Sequence, residues 1–141
     1  MTAAATLTVD RCWKQHHQIQ PQKFAYDAED GEIRQVGKTP PMCVTVGKDA
    51  EVDSHTPALE MQKCGAGPYR GKQAFVLNSA GQFQLKSSPK SCIDTDATDK
   101  MLELYSCHAP ASAGNQAFTL EAATGHIIAK GSGLCMYVRS N

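Results

Sequence analysis

The chain has 141 residues, a formal net charge of zero and 20% charged residues. That is the size of a single domain with one core. The balanced charge and the lack of a basic stripe argue against a nucleic-acid partner, and the apolar stretches are too short for membrane insertion.

In chain order, the first apolar run is Leu7-Thr8-Val9, read as a strand. Cys12 and Trp13 then enter a loop holding His16 and His17. Those histidines stand close to Cys12, but Cys12 is wanted for a bridge and no second thiol is near, so no metal is expected. Trp13 is read as a packing residue. Next comes QKFAYDAEDGEIRQVGKTPPMC, two short alternating runs around Gly31, ending at Cys43. The Asp53-Ser54-His55 stretch carries the letters of a catalytic triad, but sequence neighbours do not form triad geometry. It reads as a loop, the counterpart of Thr98-Asp99. After Cys64 comes QAFVLNSAGQFQLKSSPKSC, turning at Gly81 and ending at Cys92. Cys107 precedes the last long run, QAFTLEAATGHIIAKGSGLC, turning at Gly125 and ending at Cys135. The runs are rich in Phe, Val, Ile and Tyr, and each Gly sits where a hairpin needs positive φ.

The same phrase is therefore written three times: Gln22-Lys23-Phe24, Gln73-Ala74-Phe75 and Gln116-Ala117-Phe118, each with a Cys upstream and another downstream. A repeat of roughly 45 residues implies three stacked copies of one supersecondary unit. The three Gln are read as structural and the three Phe as core. Six cysteines at repeat-locked positions favour disulfides in an oxidising, secreted or lumenal compartment. MTAAATLTVDRC shows no signal peptide, so secretion requires a signal that was removed or lies upstream of Met1.

Six cysteines allow fifteen pairings. Cys43 to Cys64 and Cys92 to Cys107 are equivalent intervals in two copies. With the termini joined on paper, Cys135 to Cys12 falls between them in length. The repeat thus favours the bridges Cys43–Cys64, Cys92–Cys107 and Cys12–Cys135. It describes a closed three-fold ring cut inside one copy, whose last strand, around Leu134-Val138, pairs with the first. The single domain spans 1–141, with a split repeat (134–141 plus 7–33), a second repeat (42–85) and a third (91–130).

Cys-x-Asp, a run ending before a second Cys, then Asn-Gln-x-aromatic: this pattern resembles the ricin B-type (R-type) lectins and family-13 carbohydrate-binding modules, over essentially the whole chain from Leu7 to Val138. The resemblance implies an all-β fold, a β-trefoil of twelve strands with pseudo-threefold symmetry, a short barrel and a hairpin cap. Two departures stand out. The family's Gln-x-Trp is Gln-x-Phe here, and the ring is opened between the first and second strands of a repeat, which suggests a permuted domain cut from a larger protein.

The resemblance also implies a site: an Asp accepting sugar hydroxyls, an aromatic stacking on the sugar, and an Asn backed by Gln. In the third repeat that set is complete as Asp94, Tyr105, Asn115 and Gln116, with Glu103 on the same face as an extra acceptor and His108 bordering the pocket, where it can meet an extended glycan. Alone, Asp94 reads as a turn or cap and Tyr105 as half-buried sheet packing; their joint presence argues for a site. The second repeat has Thr45, Gln62 and Lys72 instead, and the split repeat Tyr137, Asp10 and Pro21. Both are expected to lack the family's sugar chemistry. The expectation is a non-enzymatic, cofactor-free lectin for galactose or N-acetylgalactosamine glycans, with a linked catalytic domain as a further partner. The rivals are a xylan- or arabinan-targeting module of a glycoside hydrolase and a trefoil protein-interaction or protease-inhibitor domain.

Overall fold

The structure is a computed structural model. It describes residues 4–13, 20–48, 50–54, 58–65, 71–95 and 100–139. Among these, twelve short strands are present: β1 Thr6–Asp10, β2 Phe24–Tyr26, β3 Ile33–Gln35, β4 Met42–Val46, β5 Leu59–Lys63, β6 Phe75–Leu77, β7 Phe83–Leu85, β8 Ser88–Thr95, β9 Leu102–Ser106, β10 Phe118–Glu121, β11 His126–Ala129 and β12 Cys135–Arg139. The described residues include no helix long and apolar enough to cross a membrane. The predicted His16 and His17 lie outside the described residues, as does His55.

Three long antiparallel pairs, β4–β5, β8–β9 and β12–β1, carry the barrel. Their inward positions are the apolar ones of the alternation, and Leu7, Val44, Leu59, Ile93, Leu102 and Met136 are all within 2% of full burial. Backbone bonds join the pairs sideways: Val9 N–H to Lys100 O at 2.9 Å, Ala58 N–H to Leu102 O at 3.2 Å and Met61 N–H to Ala5 O at 2.9 Å. The hairpins β2–β3, β6–β7 and β10–β11 form the cap, burying Phe24, Phe75, Phe83 and Phe118 beneath them. As the repeat implied, β12 pairs along the whole of β1, from Thr6 opposite Arg139 to Asp10 opposite Cys135.

Each hairpin glycine docks on the next copy, and the last docks on the first. Phe75 N–H donates to Gly31 O at 2.8 Å, Phe118 N–H to Gly81 O at 2.9 Å and Phe24 N–H to Gly125 O at 2.8 Å. At Gly31 and Gly81 the approach is close enough to require glycine. A Cβ on Gly81, whose φ is +89°, would stand 2.6 Å from Phe118 O.

The three expected bridges are formed: Cys12–Cys135, Cys43–Cys64 and Cys92–Cys107. Each is straddled by one of the repeated glutamines. The amide Nε2 donates to the carbonyl just before the second Cys: Gln22 to Arg11 at 2.8 Å, Gln73 to Lys63 at 2.9 Å, Gln116 to Ser106 at 3.0 Å. The amide Oε1 accepts from the N–H just after it: Trp13 at 2.7 Å, Gly65 at 2.8 Å, His108 at 2.8 Å. At 0–1% exposure these amides are among the most buried polar groups of the chain.

Removing such an amide strands two backbone groups. Gln73→Ala is therefore expected to lower unfolding stability by about 1–3 kcal/mol in a denaturant titration. Gly81→Ala, which meets both the positive φ and the Phe118 carbonyl, should cost at least as much; an unchanged midpoint in either variant would contradict this packing.

Candidate functional site

The candidate site rests on β8 and β9. Asp94 lies two residues beyond Cys92, so the two share the outward face of the strand. Register places Tyr105 opposite Cys92 and Glu103 opposite Asp94. The Cys92–Cys107 bridge ties the strands at one end. Beyond it, two 3-10 turns, Pro110–Ser112 and Gly114–Gln116, bring the chain back over β8. The positive φ of Gly114, +53°, helps make that return.

The return delivers Asn115 and Gln116 to Asp94. Asn115 Nδ2 donates to Asp94 Oδ1 at 2.7 Å and to Thr95 O at 2.8 Å. Gln116 Nε2 donates to Asp94 Oδ2 at 2.8 Å. Thr95 Oγ1 donates to Asn115 O at 2.9 Å, locking the loop from the other side. Asp94 is 2% exposed and so lies at the floor of the site rather than its mouth. Glu103, opposite, is equally buried, whereas Asn115 is exposed. The half-buried rings of Tyr105 and His108 meet edge-on with centroids 6.1 Å apart.

All six residues expected at the site thus lie on the β8–β9 pair or on the loop that returns over it. A seventh, Gln82, was missed. It follows Gly81 on the neighbouring repeat and is 1% exposed. Its Nε2 donates to Gln116 Oε1 at 3.0 Å and to His108 O at 3.0 Å, while its Oε1 accepts from Asn78 Nδ2 at 2.9 Å. The available signal was its place directly after a glycine that docks on the next copy.

The other copies differ as the sequence implied. Thr45 stands opposite Glu60 as Asp94 stands opposite Glu103, and Gln62 stands opposite Cys43 as Tyr105 stands opposite Cys92. Thr45 Oγ1 accepts from Gln73 Nε2 at 3.1 Å and donates to Cys43 O at 2.9 Å. Gln62 bonds Glu60 instead of offering a ring. In the split copy Tyr137 and Asp10 take these positions.

Other charged and ligand-type groups have structural explanations. Arg34 pairs with Asp27 at 3.5 Å, with Glu32 at 2.6 Å and with Asp30. The Asp27 carboxyl is held below the usual carboxylate range, first by the Glu29 N–H and then by Arg34. Two clusters have ligand atoms near one another, Cys12 with His126 and Cys135, and Glu32 with Cys43 and Cys64. In both, the sulfurs are joined as disulfides rather than offered as thiolates. A cavity of about 340 Å³ opens beside Asn115, walled by Val9, Thr95, Lys100, Gly131 and Leu134.

The family model for the ricin-type beta-trefoil lectin domain matches residues 50–141, which include the whole β8–β9 site. The chain belongs to that family. A comparison with curated proteins returns no match. A ricin-type lectin domain is a carbohydrate-binding, non-catalytic domain, and the three formed bridges suit an oxidising environment. The matched region starts after β4, yet β1 and β4 complete the same barrel by pairing with β12 and β5.

Asp94 is held by two amides at low exposure, so Asp94→Ala is expected to cost about 1–3 kcal/mol of stability. Tyr105→Ala, at a half-exposed ring, should cost less. Thermal melts of the two variants check the order, and a larger loss for Tyr105→Ala would show that the ring, not the acid, organises this end of the barrel.

Proposed function

We propose that the third repeat binds galactose or N-acetylgalactosamine through Asp94, Tyr105, Asn115 and Gln116, with Glu103 and His108 at its border. A hexose has one face rich in C–H groups and a rim of hydroxyls. Tyr105 suits the face, and the fixed carboxylate and amide suit the rim. The observation that carries this reading is the joint occurrence of acid, ring and amide in this repeat, with the Asn115 and Gln116 amides both bonded to Asp94, where the second repeat has Thr45, Gln62 and Lys72.

A single shallow site of this kind is weak, about millimolar or about 4 kcal/mol. Useful affinity then comes from several copies or from attachment to a larger protein. In this reading residues 1–141 form one secreted lectin domain that targets galactose-containing glycans, on behalf of a linked catalytic domain where one is present.

Calorimetric titration with galactose, lactose and N-acetylgalactosamine, beside xylose and arabinose, tests it. The expected result is millimolar binding of the first three, weakened about tenfold or more in Tyr105→Ala, since ring stacking contributes about 1.4 kcal/mol. Preference for the pentoses would favour the polysaccharide-targeting alternative. Equal galactose binding in wild type and Tyr105→Ala would reject the site.

A further inference from the structure

The loop that leaves β4 of the second copy crosses to the strand that carries Tyr105. Asp53 N–H donates to Leu104 O at 3.0 Å. The Asp53 carboxylate then accepts twice from Ser106: Oδ1 from the N–H at 2.7 Å and Oδ2 from Oγ at 2.8 Å. Leu104 and Ser106 are the two chain neighbours of Tyr105. One residue of the second copy therefore holds the backbone on both sides of the ring. Tyr105 itself stands opposite Cys92 on β8, and Ser106 O accepts the Gln116 amide at 3.0 Å.

The Asp53 backbone is bent to make this reach. Its φ is +64°, in the left-handed region that Asp and Asn tolerate better than other side chains. Ser54 Oγ closes the loop on Glu51 O at 3.0 Å, and Ala50 N–H closes it on Gly47 O at 3.1 Å. The next junction round the ring gives the comparison. There Lys100 has a φ of +62°, but it meets β1 through its carbonyl, which accepts the Val9 N–H at 2.9 Å. Val9 stands three residues before Cys12 as Leu104 stands three before Cys107. Arg11, in the place of Ser106, gives its N–H to the neighbouring Asp10 instead. Two copies can thus be joined without a carboxylate bridge. Asp53 and Ser106 are both exposed, so their bonds add little to the core. What they fix is the course of β9 beside the ring.

We propose, on the sugar-binding reading of the third repeat, that Asp53 is a positioning residue for that site: it acts through the β9 backbone to set the Tyr105 ring against a bound sugar. A stacking ring contributes most when its plane is fixed before the ligand arrives. Holding the peptides before and after Tyr105 fixes the direction in which its side chain leaves the strand. The second copy, with Thr45 and Gln62 in place of acid and ring, then serves binding at its neighbour.

Two variants separate the side chain from the backbone. Asp53→Gly keeps the positive φ and the bond to Leu104 but removes both acceptors. Asp53→Asn also tolerates that φ, and offers Ser106 an amide oxygen and an amide N–H in place of the carboxylate. Wild type and both variants are compared by NMR for the contact between the Tyr105 and His108 rings, and by calorimetry with galactose. Asp53→Gly is expected to lose the ring contact and to bind galactose about tenfold more weakly, the order of coupling between bonded neighbours. Asp53→Asn should restore the contact and bring affinity to within about twofold of wild type. The Asn115 side-chain amide, bonded to Asp94, should keep its chemical shift in all three proteins. A merely structural role would lower the melting temperature of Asp53→Gly and leave ring contact and affinity unchanged; that result overturns the proposal. So does an Asp53→Asn as impaired as Asp53→Gly, and so does an Asn115 amide that shifts along with the ring. If wild type does not bind galactose, the third-repeat reading falls by itself, and the ring contact alone decides whether Asp53 sets Tyr105.

Discussion

The structure depends on one small interaction repeated three times: a buried glutamine amide bonded to the carbonyl before a half-cystine and to the N–H after it. A two-stranded pair is only marginally stable by itself. The disulfide fixes the two strands to each other, and the glutamine fixes the chain that leaves the second strand. Because the next residue but one is a core phenylalanine, the same amide also sets where each cap hairpin begins. The hairpin glycine then docks on the following copy. Scaffold and ring closure thus follow from a single local unit used three times.

That unit is also why so much of the fold was legible. Three Gln-x-Phe phrases, three glycine turns and three matched cysteine intervals form an internal alignment, which brought together Cys12 and Cys135 at opposite ends of the chain. The equivalence of Asp94, Thr45 and Tyr137 was legible for the same reason, and strand register reproduces it. Contacts between copies were harder to see. Gln82 meets Gln116 across 34 residues and a repeat boundary, and nothing in the spacing of either names the other. The burial of Asp94 was also hidden, because it follows from a loop return that brings Asn115 over it. Trp13 was read as packing, but its neighbour Tyr137 lies on the far side of the sequence and so could not be named.

The three copies share one scaffold and differ in the polar and aromatic groups beside it. The glutamine, the bridge and the phenylalanine stay fixed, and the positions beside them vary. Asp94 is bound to the clamp itself: Gln116 uses one amide nitrogen for both Ser106 O and the Asp94 carboxylate. In the second copy Thr45 provides an acceptor to Gln73 without a carboxylate or a ring. One hydroxyl thus gives the glutamine the acceptor that a carboxylate gives it in the third copy. In the split copy the corresponding tyrosine instead joins Trp13 in an aromatic corner, leaving the acid on the other strand.

The central claim, that sugar chemistry belongs to particular copies while the clamp belongs to all three, is tested most directly by amide NMR during titration with lactose. The account predicts shifts concentrated at Asp94, Tyr105, His108 and the Asn115 side-chain amide, with Thr45, Gln62 and the Gln73 side chain unmoved at saturating sugar. Shifts centred on Thr45 and Gln73, or spread equally over all three clamps, would contradict it.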